Sequence, residues 1–247
     1  MLFETLKSQI DTMSSQELQK LQEYITMKLS QETSKIGIIA DIHGDYDSFQ
    51  KALSIFDAQN VQNVVCAGDI VDRGSDADKI IKVIQKRQIL CIAGNHDRTV
   101  VANQDRWRQH PKQQRMHELG RVVSDTTIDF LINLPDTMPL NLANKKILIA
   151  HGTPWSDVLG VFPDSRQGSF DRIYRDYSAE YDVIILGHTH HPMHAMIQNL
   201  HIINSGSVYS VTSRDSNTCA IFDLDALSLI VYDIQSAQPI DISITQR

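Results

Sequence analysis

The stretch IGIIADIHGDYDSFQKALSIFDAQNVQNVVCAGD, residues 36–69, carries the reading of the fold. It opens on a short apolar run, IGIIA, places Phe49, Ala52, Leu53 and Phe56 at helical spacing, and closes on a second run, VVCA. Run, amphipathic helix and run make a βαβ unit, which feeds a largely parallel sheet. Outward from this stretch the rhythm continues: Ile80, Ile81 and Ile84 mark a second helical face before ILCIA (89–93), and ILIA (147–150) and VIIL (183–186) follow. Asp41 to Asp69 is 28 residues and Asp69 to Asn95 is 26, enough for a strand, a crossover helix and two turns. The Arg-, Gln- and His-rich segment from Asp97 to Asn144 reads as mostly helical with a turn near Leu134-Pro135-Asp136. After His190 the pattern becomes β: LHIIN (200–204), SVYSVTS (207–213), TCAIFDL (218–224) and LSLIVYDI (227–234) predict antiparallel strands and a second sheet.

Upstream, residues 1–35 lack Gly and Pro. Ser14-Ser15-Gln16-Glu17 is a capping box ahead of Leu18, Leu21, Ile25 and Leu29. The expectation is a helical extension over 1–35, available for self-association, preceding one domain over 36–247. Composition narrows the function classes. A net charge of -7 is a poor match to a dedicated nucleic-acid binder. No apolar run approaches a membrane span, and the first residues lack a secretory pattern, so a soluble cytoplasmic protein without membrane partners is expected. Cys66, Cys91 and Cys219 each lie in an apolar stretch and none forms a C-x-x-C pair, so they read as packing residues.

What decides the chemistry is the residue after each apolar run. The five runs end in Asp41-Ile42-His43, Gly68-Asp69, Gly94-Asn95-His96-Asp97, His151-Gly152 and Gly187-His188-Thr189-His190. In an open α/β sheet the carboxyl ends of the strands share one edge, where ligands bind, and adjacent glycines permit sharp turns. Taken singly, Asp, Asn and His beside Gly are turn or core residues. Turn chemistry gives no reason to place metal-binding groups at five successive strand ends. Asp41, Asp69, Asn95 and four histidines exceed what one ion accepts, and the mixed oxygen and imidazole set suits Mn, Fe, Zn, Ni or Co. Two divalent ions per chain are expected, with manganese the leading choice.

These motifs, with Asp72-Arg73 after Gly68-Asp69, resemble in order and spacing the calcineurin-like metallophosphoesterase superfamily, over roughly Ile36 to Asp233. Asn204-Ser205-Gly206-Ser207-Val208 is similar to the segment after the last ligands in its small bacterial phosphodiesterase-like branch. The resemblance implies an αββα sandwich of two mixed sheets flanked by helices. It places Asp41, His43 and His190 on one metal and Asn95, His151 and His188 on the other, with Asp69 bridging. It further implies that His96, oriented by Asp72, faces the substrate phosphate with Asn95 and Arg73. The activity implied is hydrolysis of phosphodiesters or nucleotide-type substrates by a hydroxide held between the metals. Gly68-Asp69-Ile70-Val71-Asp72-Arg73-Gly74 also resembles Ser/Thr protein phosphatases and dinucleoside polyphosphate hydrolases, a second enzyme reading. A scaffold similar to the retromer subunit is the non-enzyme alternative; that subunit has a degraded site, whereas all seven expected ligands and His96 stand here.

Softer candidates are Trp155, Phe162 and Arg166 as a lining for the leaving group, and His191 and His194 as rim residues. His110, His117 and His201 carry no assignment, and Arg98, Arg106, Arg108 and Arg115 read as a solvated helix face.

Overall fold

A computed structural model describes residues 13–14, 17–18, 34–212 and 215–247. Most of the helical extension expected over 1–35 therefore lies outside the described residues, as does any self-association through it. Its capping box is present: the Glu17 carboxylate accepts from the Ser14 backbone N–H at 2.8 Å and the Ser14 hydroxyl at 2.7 Å, and Ser14 Oγ accepts from the Glu17 N–H at 3.4 Å.

Two mixed sheets stack face to face. In the first, β1 (Lys35–Ile39) runs parallel to β2 (Asn63–Cys66), and β2 to β3 (Leu90–Cys91). In the second, β4 (Thr137–Leu142) and β5 (Lys145–Ala150) form a hairpin, and β6 (Val183–Leu186) lies parallel to β5. Next come β7 (Pro192–Ile197) and β8 (Leu200–Ser205), β8 pairing parallel with β6 and antiparallel with β7. The chain then returns to the first sheet, where β9 (Thr218–Asp223) is antiparallel to β1, and β10 (Ser228–Asp233) and β11 (Gln238–Ile240) extend that edge. Strand β12 (Ile244–Gln246) closes the second sheet against β7. Helices α1 (Tyr46–Ala58), α2 (Ala77–Arg87), α3 (Asn95–Arg108), α4 (Gln113–Glu118) and α5 (Asp125–Ile132) precede β4; α6 (Gln167–Tyr177) stands between β5 and β6.

Strand alternation divides the apolar residues among three interfaces. From β1, Ile36 and Ile38 meet Ile147 and Ile149 of β5 and Val183 and Ile185 of β6 between the sheets. Ile39 turns the other way, toward Phe49, Leu53 and Phe56 of α1 and Ile80 and Ile84 of α2. Leu148, Ile184 and Leu186 face Phe170 and Ile173 of α6. The result is the αββα order of layers. Ile38 is fully buried, so Ile38→Ala would cost about 2–5 kcal/mol. Cys66, Cys91 and Cys219 are free and buried.

Three features differ from the expectation. Residues 137–142 form a strand, not helix: Met138, Leu140 and Leu142 alternate with exposed Pro139 and Asn141, a period of two. Pro139 is tolerated because β4 is an edge strand, and Ala143 and Asn144, at φ 47° and 58°, make the hairpin turn. SVYSVTS is not a strand; the Val208 and Tyr209 N–H groups bond to the Ala40 and Asp41 carbonyls, laying the segment over the end of β1. The five runs do not edge one open sheet: β1, β2 and β3 belong to one, β5 and β6 to the other.

Candidate metal centre

The ends of β1, β2, β5 and β6 and the start of α3 converge at one end of the sandwich. The loop after β1 continues the ladder with the loop after β2: Asp41, His43 and Gly44 donate their N–H groups to the carbonyls of Gly68, Asp69 and Ile70. Across the sheets, a Cβ on Gly187 would stand 2.9 Å from the Ala67 carbonyl oxygen, so only glycine permits this approach. Asp41, His43, Asp69, Asp72, Arg73, His188 and His190 all take left-handed backbone, with φ of 53°, 49°, 56°, 68°, 74°, 68° and 60°. Such conformations are uncommon for non-glycine residues and gather at functional sites.

The histidines are oriented from behind. Nδ1 of His43 faces the Val71 carbonyl at 3.3 Å, Nδ1 of His151 the Ala67 carbonyl at 2.7 Å, and Nδ1 of His190 the Asp215 carboxylate at 2.6 Å. Carbonyl and carboxylate oxygens only accept, so these nitrogens carry the protons and Nε2 of each ring points inward as a lone pair. His188 presents Nδ1 instead, and its ring also bonds the Val158 backbone.

Two overlapping groups result. His43 and His190 bring their Nε2 atoms within 3.4 Å, and these lie 3.9 and 3.2 Å from Asp41 Oδ1. That oxygen is buried without a hydrogen-bond partner. In the second group Asn95 Oδ1 lies 3.1 Å from both His151 Nε2 and His188 Nδ1. Asp69 joins them, with Oδ2 3.7 Å from His43 Nε2 and 3.3 Å from His151 Nε2. Lone pairs facing lone pairs around an orphaned buried oxygen form an arrangement that a cation satisfies, and the donor set fits a divalent transition metal. Asp41 with His43 and His190, and Asp69 with Asp41 and His151, each offer ligand atoms within 4.8 Å of one another.

The electrostatics agree in sign. Burial pushes His43 down to about 4, with Asp69 and Asp41 opposing. Burial also acts against charge on His151, but Asp69 outweighs it and lifts that ring to about 10: the carboxylate calls for a positive charge at Nε2, whether proton or metal. Asp69 itself, though buried, is held well below the carboxylate range by His151, His43 and His96.

Beside the two groups, His96 Nδ1 lies 2.7 Å from Asp72 Oδ2 and its Nε2 3.5 Å from an Arg73 nitrogen. Burial opposes protonation of His96, yet the bond to Asp72 and the charge of Asp69 raise its pKa. Asp72 Oδ1 accepts from Arg121 Nε at 3.0 Å, and the Arg121 guanidinium lies 5.3 Å from the Trp107 ring centroid. The structure thus brings together every residue expected as a ligand, together with His96, Asp72 and Arg73.

Four supporting residues were not anticipated. Asp97 is fully buried and accepts from four backbone N–H groups, those of Asp69, Ile70, Val71 and Gly94. Asp215 orients His190, Asn204 clamps the Gly187 carbonyl at 2.6 Å, and Arg121 braces Asp72. Asp97 stood inside the Gly94-Asn95-His96 motif, and Asn204 in the NSGSV segment; nothing local marks Asp215 or Arg121.

Of the softer candidates, Trp155 lines a 390 Å³ cleft on the His151 side but stacks on Tyr177, with Arg172 3.8 Å from its ring centroid. Phe162 and His191 line an 800 Å³ cleft beside His188 and His190. Arg166 caps α6. His194 is not a rim residue; it is buried and bonds His201 at 2.9 Å, because inward alternation on β7 turns it toward the inter-sheet Phe222.

A model of the calcineurin-like phosphoesterase superfamily domain matches residues 35–227. A phosphodiesterase of Methanocaldococcus jannaschii is 24% identical over 174 residues, covering 70% of this chain and 82% of its own. An asymmetrical bis(5'-nucleosyl)-tetraphosphatase of Oceanobacillus iheyensis is 27% identical over 177 residues, covering 60% and 67%. The crystal structure of a metallophosphoesterase from Sphaerobacter thermophilus shares the fold, with TM-score 0.65 and 18% identity over 85% of this chain and 89% of that one.

Proposed function

Because this chain belongs to the calcineurin-like phosphoesterase superfamily, we propose that it is a metal-dependent phosphodiesterase-type enzyme with a dinuclear centre. The observation that carries this is Asp69, whose carboxylate serves both ligand groups at once. Asp41, His43 and His190 would hold one ion, Asn95, His151 and His188 the other, and Asp69 would bridge. Divalent ions there supply Lewis acidity toward phosphoryl oxygens and lower the pKa of water. The chain's own residues do the rest. Arg73, about one-third exposed, anchors the phosphoryl group with Asn95. His96, held by Asp72, gives a proton to the departing oxygen. No helix among the described residues is long and apolar enough to cross a membrane. Manganese as native metal, a small phosphoester or nucleotide substrate, a cytoplasmic location and self-association through residues 1–35 belong to the same reading.

A second reading, dinucleoside polyphosphate hydrolysis, is favoured by the Gly68–Gly74 motif and by the tetraphosphatase relative. One panel separates them: bis-p-nitrophenyl phosphate, p-nitrophenyl phosphate, 2',3'-cyclic nucleotides, diadenosine tetraphosphate and a phosphopeptide, each with Mn, Ni, Mg and Zn. The expected result is diester hydrolysis at least equal to monoester hydrolysis, two ions per chain by elemental analysis, and loss of both in Asp69→Asn. At most one ion at saturation refutes the dinuclear centre, and phosphopeptide turnover without diesterase activity refutes the substrate class.

A further inference from the structure

The two clefts beside the centre differ in chemistry. The smaller presents Asp136, which is paired with Arg98 at 2.6 Å, and Asp157, with no arginine among the described residues of its lining, and the Arg172 guanidinium lies over the Trp155 ring there. The larger runs from His188 and His190 to Phe162 and His191, with Arg73 and Thr212 along its walls. Its one carboxylate, Asp215, is buried and taken up by His190 and Thr212, so what faces solvent is aromatic, hydroxyl and guanidinium surface.

Phe162, on the loop after β5, is the exposed apolar side chain that lines it. An exposed aromatic ring in the wall of a cleft that also presents a guanidinium is apolar surface open to a ligand. The loop is built to hold this surface still. A Cβ on Gly160 would stand 2.6 Å from Thr189 Cγ2, so glycine lets the loop lie flat on the His188–His190 turn. The Phe162 N–H is held by Ser165 Oγ at 2.8 Å, and Arg247 donates to the next carbonyl, that of Pro163. His191 is fixed by a 2.6 Å contact of Nδ1 with the Thr189 carbonyl, and its ring meets Phe162 edge to face at 5.6 Å.

We propose that Phe162 and His191 form a platform for a flat heterocyclic base, so that the substrate is a nucleoside phosphoester whose phosphate lies between Arg73 and the metal centre. This rests on the phosphoesterase reading above and adds the identity of the organic arm. A nucleoside phosphate matches the cleft part by part: base on the aromatic pair, sugar hydroxyls near Thr212, anion at Arg73. Base stacking on an aromatic side chain corresponds to on the order of tenfold in affinity or more.

The test is titration calorimetry on the full-length, Mn-loaded protein with adenosine 5'-monophosphate and ribose 5-phosphate. The expected result is that the nucleotide binds at least about tenfold tighter, and that Phe162→Ala removes this ratio while the affinity for ribose 5-phosphate stays within about twofold. Phe162→Trp should preserve or enlarge the ratio, and His191→Ala reduce it. Equal affinities in the unaltered protein, or equal losses for both ligands in Phe162→Ala, would overturn the platform. Failure of ribose 5-phosphate and inorganic phosphate to bind at all would instead remove the phosphate site itself, and with it the reading on which the platform rests.

Discussion

Replacing Asp97 by Asn changes almost no volume and yet should dismantle the base of the metal centre. Asp97 Oδ1 accepts from the N–H groups of Ile70 and Val71 at 2.9 and 3.1 Å, and Oδ2 from those of Asp69 and Gly94, both at 2.9 Å. An amide offers one acceptor oxygen; its NH₂ end would confront two N–H donors in a buried site. Each lost hydrogen bond to a charged group is worth about 1.5–3 kcal/mol, so two give about 3–6 kcal/mol. Set against a total stability of about 5–15 kcal/mol, that is a large share. Burial, then the charge of Asp69, push the Asp97 carboxyl up to about 7, so the comparison belongs at pH 8, where it is ionised. Urea unfolding of the chelated protein should show the midpoint displaced by about 1.5–3 M at unchanged slope, with m near 2 kcal/mol/M. The same change frees the backbone of Asp69, so metal affinity should fall as well. A stability loss under about 1 kcal/mol with undiminished metal affinity would refute the account of Asp97 as the tie between β2 and α3.

Three further outcomes are expected. His96→Ala should retain its metals but lose about 10²- to 10⁴-fold on nucleoside leaving groups and far less on p-nitrophenol, as kcat/KM across leaving groups of different pKa would reveal. Asp215→Ala should weaken metal affinity about 10- to 100-fold by releasing the His190 ring, measured by competition with a chelating dye; unchanged affinity would assign Asp215 to loop structure alone. The His194–His201 pair gives a pH dependence: burial, then His201, lower His194 to about 4, and burial, then Lys145, lower His201, with Asp182 opposing. The unfolded chain therefore binds more protons, so this contribution is full above about pH 6.5 and is lost as pH falls toward 4, costing about 1–3 kcal/mol. The melting temperature of chelated protein should fall over that window, and less so in His194→Leu/His201→Leu.

The residues proposed to hold metal are legible because each follows an apolar run, and strand ends are where an α/β fold collects its chemistry. That they span two sheets was less so: β5 and β6 read like β1 and β2, since strands buried on both faces look alike whichever sheet they join. Residues 137–142 read as helix in the sequence because Pro139 masks the period-two pattern of the strand. Asp215 and Arg121 were invisible for a different reason. Each acts through one contact, to His190 and Asp72, made across long separations in sequence, and no local pattern encodes such a partner.

The left-handed backbone around the centre sets stability and function against each other. At Asp41, His43, Asp69, His188 and His190, glycine would relieve conformational strain, so selection for folding alone would erode the ligands. The strain at these positions is a cost in stability that the proposed metal binding requires. The chain shows the same geometry where no chemistry is at stake, at Ala143, Leu227 and Ala237, which occupy turns with φ of 47°, 51° and 54°. Those turns, remote from any ligand in the chain order, are where an engineer can add glycine or asparagine and gain robustness, leaving the strained residues of the centre alone.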